Sequence, residues 1–302
     1  MMQNHPEQKC YFALNKHSHD WERLKQEGFN LLNFGSKDHE NKLRKASKII
    51  SSHFDEYVQN YFGDEYQHSK KFIFLQHGII KDNLSRWLNY KRNMLAFITS
   101  TAAEYDSIAK NHTQYQVGTK EVVLTGLARH DSLLKGNQSE SKIILIMPTW
   151  RSSIIGKASK TGNAREFNQN FMQTDYAQHW GTFLRSDKLK MLAEQYDYQI
   201  IFAPHANIEP YLSMFELPKY IQTWSASTSK ISIQQLFQMS KLMITDYSSV
   251  AFEMGLLNKA VIYYQFDKNE VFSGKHIYNQ GYYQYEEHGF GPVVETEESL
   301  LT

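Results

Sequence analysis

The sequence predicts an α/β protein whose parallel sheets are covered by crossover helices. Short apolar runs, rich in β-branched and aromatic residues, recur along the chain with longer amphipathic stretches between them. Most of these runs are followed within two residues by Gly, Pro, Asp, Ser or His, as expected where a strand gives way to a loop. The alternation is typical of parallel sheets, because parallel neighbours need a crossover connection.

The strand prediction rests on seven runs. In chain order they are Phe72–Leu75, Leu95–Thr99, Val122–Thr125, Ile143–Met147, Gln199–Ala203, Leu242–Thr245 and Ala260–Tyr264. Ile49 and Ile50 indicate a weaker eighth strand. Two segments have the pattern of amphipathic helices, Ser186–Tyr196 and Ser232–Ser240. Near the end, Glu295–Thr302 indicates an N-cap followed by the first turn of a helix.

Two sheets fit the chain better than one. A length of 302 residues suits two domains of ordinary size. The polar, Gly-containing stretch Leu134–Ser141 separates two of the predicted strands near the middle of the chain. We therefore predict an N-terminal domain over residues 1–137 and a C-terminal domain over residues 138–302.

Composition restricts the classes of function. The 33 Lys and Arg residues balance 32 Asp and Glu residues, so net charge gives no argument for a nucleic-acid partner. Cys10 is the only cysteine, which excludes an internal disulfide framework and suits a reducing compartment. No apolar run approaches the roughly 20 residues that span a bilayer, and the N-terminus lacks a signal pattern. We expect a cytoplasmic protein.

A short basic and aromatic stretch leaves open a peripheral contact with a membrane. Arg86, Lys91 and Arg92 alternate with Trp87 and Tyr90. Such a stretch suits an anionic lipid surface, but an ordinary exposed helix face has the same composition. The sequence does not decide between these readings.

Two histidines follow predicted strands, one in each half of the chain. Ligands of doubly wound sheets bind beyond the carboxyl ends of the strands, so polar residues at these points carry most of the information. His77 lies in Gln76-His77-Gly78, and His205 lies after Pro204. Each is a candidate general base or phosphate ligand, or else a structural residue that bonds a loop carbonyl. The pair suggests a cleft between the domains.

Two further strand ends carry guanidinium groups. Arg129 follows the Gly126 turn, and Thr149 and Arg151 flank Trp150. Arginine matches the oxygens of a phosphate, although both positions also suit surface salt bridges or packing. The Gly-, Ser- and Lys-rich segment Ser152–Asn163 follows, and it suits either a lid over an anionic substrate or a solvated loop.

The strongest local signal is the turn after Leu242–Thr245. Thr245, Ser248 and Ser249 supply hydroxyls, beside Asp246, where a helix is expected to begin. Backbone N–H groups at a helix start favour an anion, so the turn predicts a phosphate site. Simple N-capping by Ser248 or Ser249 is the alternative. Zinc-ligand spacings, a Walker A motif, G-x-S-x-G and G-x-G-x-x-G are all absent from the sequence.

Taken in order, the strand-end motifs resemble those of the CDP-glycerol glycerophosphotransferase family, which makes teichoic acids and related capsule polymers. The matching segments are FLQHGIIKDNLSRWLN (74–89), FITSTAAEY (97–105), TGLARHD (125–131), MPTWR (147–151), FAPH (202–205), ITDYSSVAFE (244–253) and YNQGYYQYEEHGFGPVV (278–294). Two departures are Ala203-Pro204-His205-Ala206 where Lys-Pro-His-Pro is common, and Ala128 where proline is usual.

The resemblance implies a fold and a reaction. It implies a GT-B-like architecture, with a Rossmann-like acceptor domain and a Rossmann-like CDP-donor domain whose parallel sheets face a central cleft. Glycerol phosphate or ribitol phosphate would pass from CDP-glycerol or CDP-ribitol to a hydroxyl of a polyol-phosphate or saccharide polymer, releasing CMP. No cofactor and no essential metal are expected, and the enzyme would work in the cytoplasm, at the inner face of the cell membrane.

The resemblance also implies roles for individual residues. His77 would be the base on the acceptor hydroxyl, His205 would contact the donor phosphates, and Ser248 and Ser249 would hold the pyrophosphate. From their position near the phosphate turn, rather than from the resemblance, Glu253 or Asp246 is expected to bind the ribose hydroxyls, with the alternative that Asp246 fixes the turn itself. The remaining predicted donor-binding residues are Arg129, Thr149, Arg151 and Thr245.

Two other functions compete with this reading. A glycosyltransferase of the same architecture would use a UDP- or ADP-sugar. A non-catalytic module would bind the polymer and release no CMP.

Overall fold

The computed structural model describes residues 5–63, 70–90, 93–137, 142–156, 166–226, 228–275 and 279–302. It divides into two compact units, Met1–Phe74 with Arg92–Leu95, and Leu75–Lys91 with Ala96–Thr302. The domain boundary that the sequence suggests after residue 137 stays a prediction.

The first unit contains two parallel strand pairs. Strand β1 (Phe12–Leu14) pairs with β2 (Leu31–Asn33), and β3 (Lys48–Ser51) pairs with β4 (Lys71–Phe74). Its helices are α1 (Trp21–Gln26), α2 (Lys37–Lys45) and α3 (Glu56–Gln59).

Helix α2 begins where the sequence supplies a cap. The Ser36 hydroxyl accepts a hydrogen bond from the His39 N–H, and acidic residues in the first turn complement the helix dipole. Beside strand β4, the buried rings of Phe54 and Phe72 stack with centroids 4.0 Å apart.

The rest of the chain continues the alternation of strands and helices. The strands are β5 (Met94–Thr99), β6 (Val122–Leu124), β7 (Ile143–Ile146), β8 (Gln199–Phe202), β9 (Ile221–Thr223), β10 (Leu242–Thr245), β11 (Ala260–Tyr264) and β12 (Val293–Val294). The helices are α4 (Ser85–Leu88), α5 (Ala102–Ala109), α6 (Arg129–Lys135), α7 (Asp175–Leu184), α8 (Asp187–Tyr196), α9 (Ile233–Met239), α10 (Ala251–Leu256), α11 (Lys268–Glu270), α12 (Tyr285–His288) and α13 (Glu297–Leu300). Phe171–Gln173 and Glu209–Phe215 form 3-10 helices, and Val271–Lys275 forms one π-helical turn.

A six-stranded parallel sheet organises the second unit. Its strand order is β12-β11-β10-β7-β8-β9, and every neighbouring pair is parallel. Within this sheet the first strand in the sequence is β7, at the centre, and β8 and β9 follow on one side of it. The chain then returns to the centre, and β10, β11 and β12 form the other side of the sheet. This order is that of the Rossmann fold, in which ligands bind where the direction reverses. Here that point lies between the carboxyl ends of β7 and β10.

Two apolar clusters cover the faces of this sheet. Neighbouring residues of each strand alternate between them: Ile146 and Ile244 point to one cluster, whereas Leu145 and Met243 point to the other. The fully buried Trp180 of α7 lies in the first cluster, and Phe237 of α9 lies in the second. Burial of side chains of this size contributes about 1.5–3 kcal/mol each and fixes the strand ends that carry the polar residues.

The strand prediction is confirmed for all eight runs, with ends shifted by at most one residue. The two predicted helices are α8 and α9, and Thr296 caps α13 through a hydrogen bond from the Ser299 N–H. Strands β1, β2, β9 and β12 were not predicted from the sequence. No helix in the described ranges is long and apolar enough to cross a membrane.

Candidate active site

The loop after β4 presents His77 at the surface. Gln76, directly before it, is buried and adopts a left-handed backbone conformation with φ of 63°. The His77 side chain is exposed, as an acid-base group must be to reach an acceptor. The structure therefore anchors the residue before the histidine and leaves the imidazole accessible.

Glu104 of α5 holds this loop, and the sequence analysis did not single it out. Its Oε1 accepts hydrogen bonds from Gln76 Nε2 at 3.1 Å and from the Ile80 N–H at 2.6 Å. Its Oε2 accepts from the Ser100 N–H at 2.7 Å and from the Ser100 hydroxyl at 3.2 Å. Burial raises the pKa of Glu104, and the hydrogen bonds that it accepts oppose that increase.

Gly78 brings the His77 loop against the turn that follows β10. A Cβ at position 78 would lie 2.9 Å from Ser249 Oγ, closer than a real Cβ comes to another heavy atom. Only glycine therefore fits here without moving the serine. Two motifs that lie some 170 residues apart in the sequence meet at this point.

The turn after β10 keeps two of its three hydroxyls near the surface. Thr245 is fully buried, and its Oγ1 donates to the Met147 carbonyl at 2.7 Å. Ser248 Oγ accepts a long hydrogen bond of 3.4 Å from the Val250 N–H. The Ser249 hydroxyl has no hydrogen-bond partner within the described residues. Val250 is the N-cap of α10 and receives no side-chain cap, so neither serine caps this helix.

Asp246 is fully buried and has its carboxylate engaged within the protein. Its Oδ1 accepts from the N–H groups of Thr149 at 2.8 Å and Tyr247 at 2.6 Å. Its Oδ2 lies 2.9 Å from Arg151 Nη2, off the N–H direction, which makes the contact an ion pair rather than a directed hydrogen bond. The carboxylate thus ties the ends of β7 and β10 together at the reversal point of the sheet.

Arg151 is buried as well and completes this network. Its Nε and Nη2 donate to the two carboxylate oxygens of Asp267, at 2.8 and 3.2 Å, and its Nη1 donates to the Thr149 carbonyl at 2.7 Å. The guanidinium lies over the rings of Tyr247 and Tyr176, at 4.8 and 5.4 Å from the centroids. Burial favours a lower pKa for Arg151, but the two neighbouring carboxylates outweigh it and raise the pKa.

The Thr149 hydroxyl is not among the bonded groups of this network. Its Oγ1 is shielded from solvent and has no hydrogen-bond partner within the described residues. A buried hydroxyl without a partner is costly, and Asp246 Oδ2 and the Tyr176 hydroxyl likewise have no hydrogen-bond partner within the described residues.

Arg129 and Glu253 form a second ion pair next to the turn. Arg129 Nε donates to Glu253 Oε1 at 3.2 Å, and Nη2 makes a closer contact with the same oxygen. His130 Nε2 lies 3.6 Å from that oxygen. Glu253 is 3% exposed and lies in the first turn of α10, whereas the Arg129 side chain is 29% exposed. The carboxylate therefore orients a guanidinium that still reaches solvent.

His205 lies at the end of β8, next to β7 in the sheet. Its side chain is exposed, and its Nδ1 accepts a hydrogen bond from the Asn207 N–H at 3.1 Å. The proton of the neutral ring therefore resides on Nε2. The Trp150 ring lies 5.8 Å away, centroid to centroid.

Residues 279–285, a segment rich in tyrosine, contact residues 81–83, which follow the His77 loop in the chain. Asn83 and Asn279 form an antiparallel bridge, with a hydrogen bond of 2.9 Å from the Asn83 N–H to the Asn279 carbonyl. A Cβ at Gly281 would lie 2.2 Å from the Lys81 carbonyl oxygen, so these backbones touch. Lys81 is buried, pairs with Asp82 at 2.6 Å, and lies over an aromatic ring of the same segment.

A pocket of about 410 Å³ opens at the carboxyl ends of β7 and β11. Arg151 and Asp267 form one wall, and Asp175 and His179 of α7 contribute to another. The His179 ring stacks on Phe266 with centroids 4.3 Å apart. The second half of the predicted lid, from residue 157 on, lies outside the described residues, as do Lys91 and Arg92 of the basic stretch. In that stretch Tyr90 is 83% exposed, and its contact with a membrane stays a prediction.

The model of the family described as CDP-glycerol:poly(glycerophosphate) glycerophosphotransferase matches residues 1–302. The chain belongs to this family. It is 35% identical over 301 residues to the minor teichoic acid biosynthesis protein GgaB of Bacillus subtilis (strain 168), across 97% of this chain and 32% of that protein. It is 26% identical to a teichoic acid glycerol-phosphate transferase of Staphylococcus aureus (strain NCTC 8325 / PS 47), across 62% of this chain and 45% of that protein.

A solved structure of the wall teichoic acid polymerase TagF has the same fold. It superposes with a TM-score of 0.62 at 17% identity, covering all of this chain and 73% of that one. The predicted α/β, GT-B-like fold is thereby confirmed. The chain spans about a third to a half of the length of the curated relatives named above. The roles predicted for individual residues are not tested by these likenesses and stay predictions.

Proposed function

We propose that this chain transfers a polyol phosphate from a CDP-polyol to a hydroxyl of a growing cell-surface polymer and releases CMP. CDP-glycerol is the donor that the family description favours, and CDP-ribitol is the second donor to test. The relatives include poly(glycerol phosphate) and poly(ribitol-phosphate) polymerases of teichoic acid. The acceptor would be a polyol-phosphate or saccharide chain of the teichoic-acid or capsule type.

The close approach of Gly78 to Ser249 is the observation that carries this proposal. It brings the loop with an exposed histidine against a turn with a serine hydroxyl that the described residues leave unbonded. A general base must lie within hydrogen-bond reach of the acceptor hydroxyl, and that hydroxyl must itself lie next to the phosphorus that it attacks. A phosphate on the serine turn would satisfy that requirement beside His77.

The roles follow from which side chains are exposed and from the hydrogen bonds that the structure shows. His77 takes the proton of the attacking hydroxyl, and Ser248 and Ser249 donate to the pyrophosphate. Arg129, oriented by Glu253 and partly exposed, supplies positive charge. His205 donates from Nε2 to the donor phosphates, since its Nδ1 is already an acceptor. Preorganised donors of this kind stabilise charge without reorganising during the reaction.

In this proposal the other predicted donor-binding residues position the strand ends and Arg129. The polar groups of Arg151, Asp246 and Thr245 bond within the protein, and the Glu253 carboxylate bonds Arg129. Their function is to fix the ends of β7 and β10 and to aim Arg129. Thr149 combines both roles, because its N–H is used and its hydroxyl is not.

A CMP-release assay with CDP-glycerol, CDP-ribitol and a UDP-sugar, each with a polyol-phosphate acceptor, tests the proposal. We expect CMP from one of the CDP-polyols and no nucleotide release from the UDP-sugar. Release from the UDP-sugar alone would identify a glycosyltransferase. Polymer binding without release from any donor would identify a binding module.

We further propose that transfer needs no metal ion and no cofactor. The fixed cation and hydroxyl donors named above supply the charge stabilisation that a metal provides elsewhere. CMP release in the presence of excess EDTA should match release in its absence. A loss that Mg²⁺ restores would overturn this part of the proposal. We also propose that the protein works in the cytoplasm at the membrane surface, which co-sedimentation with anionic vesicles would test.

A further inference from the structure

Glu104 has an unusual set of neighbours for a buried carboxylate. It is 1% exposed, and its two oxygens accept hydrogen bonds from four donors: Gln76 Nε2, the Ile80 N–H, and the N–H and hydroxyl of Ser100. No cation is paired with it in the described part of the chain. The two oxygens accept from four donors, which favours the ionised carboxylate and opposes the effect of burial on the Glu104 pKa.

A local role at the start of α5 would not account for this arrangement. Thr101 caps that helix, and Glu104 stands three residues later, which is the spacing of a capping box. A capping box would direct the carboxylate back to the Thr101 N–H. Here the Thr101 N–H is one of several donors to the carboxylate, Oε2 also bonds Ser100, and Oε1 reaches across 24 residues of sequence to Ile80. The carboxylate thus serves the His77 loop as well as its own helix.

The two bonds made by Oε1 bracket His77 in the sequence. One partner, Gln76, directly precedes the histidine, and the other, Ile80, follows it by three residues. Gln76 adopts a left-handed conformation that costs a non-glycine residue roughly 1 kcal/mol or more, so something must hold it there. The bond to Glu104 does so while the imidazole itself remains exposed.

We infer that Glu104 is a positioning residue for phosphate transfer, which fixes the His77 loop at the distance from the Ser249 turn that in-line attack requires. The inference rests on the proposed function. In this inference Glu104 does not touch substrate, and it acts through the Gln76 side chain and the Ile80 N–H. A shift of about 1 Å in a reacting group can reduce a rate roughly a hundredfold.

The test compares Glu104→Gln with the matched control Asp106→Asn. Asp106 lies on the same helix and makes a surface ion pair with Lys110. An amide at position 104 removes the negative charge and turns its N–H₂ group either toward Gln76 and Ile80 or toward Ser100, so the hydrogen bonds that hold the loop weaken. We expect kcat for CMP release to fall about tenfold to a hundredfold, with the KM for the CDP-polyol within about twofold of wild type. Asp106→Asn should keep both values.

Gln76→Asn provides a second variant if Glu104→Gln folds poorly. Asparagine tolerates the left-handed conformation, but its shorter side chain does not reach Glu104. We expect a smaller fall in kcat, again with little change in the donor KM. Wild-type kcat in both variants would overturn the inference. Parallel losses of kcat, donor affinity and thermal stability in both would also overturn it, since they would indicate a purely structural role.

Hydrogen exchange separates this inference from the proposed function. The Ile80 amide donates to Glu104 at 2.6 Å, so its exchange should accelerate in Glu104→Gln and not in Asp106→Asn. If the wild-type protein releases no CMP from any donor, the proposed function fails, and the exchange experiment still decides whether Glu104 holds the loop. Unchanged protection of residues 76–80 would overturn the inference by itself.

Discussion

Two groups of polar residues lie at the carboxyl ends of the sheets, and they differ in how far they are exposed to solvent. Arg151, Asp246 and Asp267 are bonded to one another or to neighbouring backbone, and Arg151 and Asp246 are at most 4% exposed. His77 and Ser249, by contrast, reach the surface of the same unit. The first group is a buried scaffold, and the second is the surface that a substrate can reach.

The difference shows how one short motif serves two purposes. In Thr245-Asp246-Tyr247-Ser248-Ser249, the first two side chains bond back to the end of β7, and the serines lie in the turn beyond. The charges of the scaffold residues are paired with one another. The serine hydroxyls and Arg129 are therefore the donors that a substrate can reach. Removing a scaffold residue should therefore lower stability, whereas removing a surface residue should lower activity.

The largest expected effect is on activity and comes from His77→Ala. Loss of a general base should lower kcat for CMP release by about 10²–10⁴-fold. The unfolding temperature should stay at the wild-type value, because the side chain is exposed. His19→Ala is the control, since that side chain is 87% exposed and lies in the other unit. A His77→Ala enzyme with nearly wild-type kcat would remove His77 from the mechanism.

On stability, the largest expected effect comes from Arg151→Leu. The substitution leaves two carboxylates without their cation, one of them fully buried, and should lower the free energy of unfolding by about 3–5 kcal/mol. The matched control is Arg23→Leu, which breaks surface pairs of a 57% exposed side chain and should leave the free energy of unfolding nearly unchanged. Urea unfolding measures both. Equal losses in the two variants would contradict the division into scaffold and surface.

Among the surface residues, Ser249→Ala should weaken binding of the donor. One hydrogen bond to a charged phosphate is worth about 1.5 kcal/mol, so the KM for the CDP-polyol should rise roughly tenfold. The KM for the acceptor should not change, and neither should stability, because the described residues make no hydrogen bond to this hydroxyl. Ser18→Ala, in the first unit, is the control. An equal rise in both KM values would argue against a donor-phosphate role.

The smallest expected effect concerns a buried lysine remote from the turn. Burial, with help from Lys241, lowers the pKa of Lys259 to about 8. The unfolded chain keeps the ordinary pKa near 10.4, so above pH 8 the unfolded state binds more protons than the folded state. The free energy of unfolding should therefore rise with pH between about 8 and 10.

Lys259→Met tests this assignment without touching the candidate site. The variant loses the Nζ hydrogen bonds to the Phe237 and Gln238 carbonyls and also loses the titrating group. The difference in unfolding free energy between wild type and variant should thus increase with pH over that window. A difference that stays constant from pH 7 to 10 would show that Lys259 does not titrate there.

The comparison also shows which features the sequence can reveal. The central strands were predictable because each is a run of apolar residues that a buried parallel strand requires, as in Ile143–Ile146 and Leu242–Thr245. Strands β1, β2, β9 and β12 have only two or three residues. Runs of that length carry little periodicity, and β6, which also has three residues, was predicted because it lies in the four-residue apolar run Val122–Thr125.

The hydrogen-bond and ion-pair partners of the polar side chains were less predictable. Arg151 reads as a phosphate ligand in the sequence, yet it is buried against Asp267, 116 residues later. Glu253 reads as a ribose ligand, yet it bonds Arg129 across 124 residues. Glu104 was not singled out in the sequence, yet it holds the His77 loop across 28 and 24 residues. No local pattern records contacts at such separations.

The sequence by itself determined the α/β class, the central strands of the sheets, and the strand ends at which chemistry is expected, because local periodicity and turn residues encode all three. The tertiary structure decided which polar groups remain free at those ends. A charge is buried or exposed according to the partners that the fold brings to it, and those partners come from distant parts of the chain. Arg129 and Arg151 follow similar strand ends, yet one side chain is 29% exposed and the other 5%.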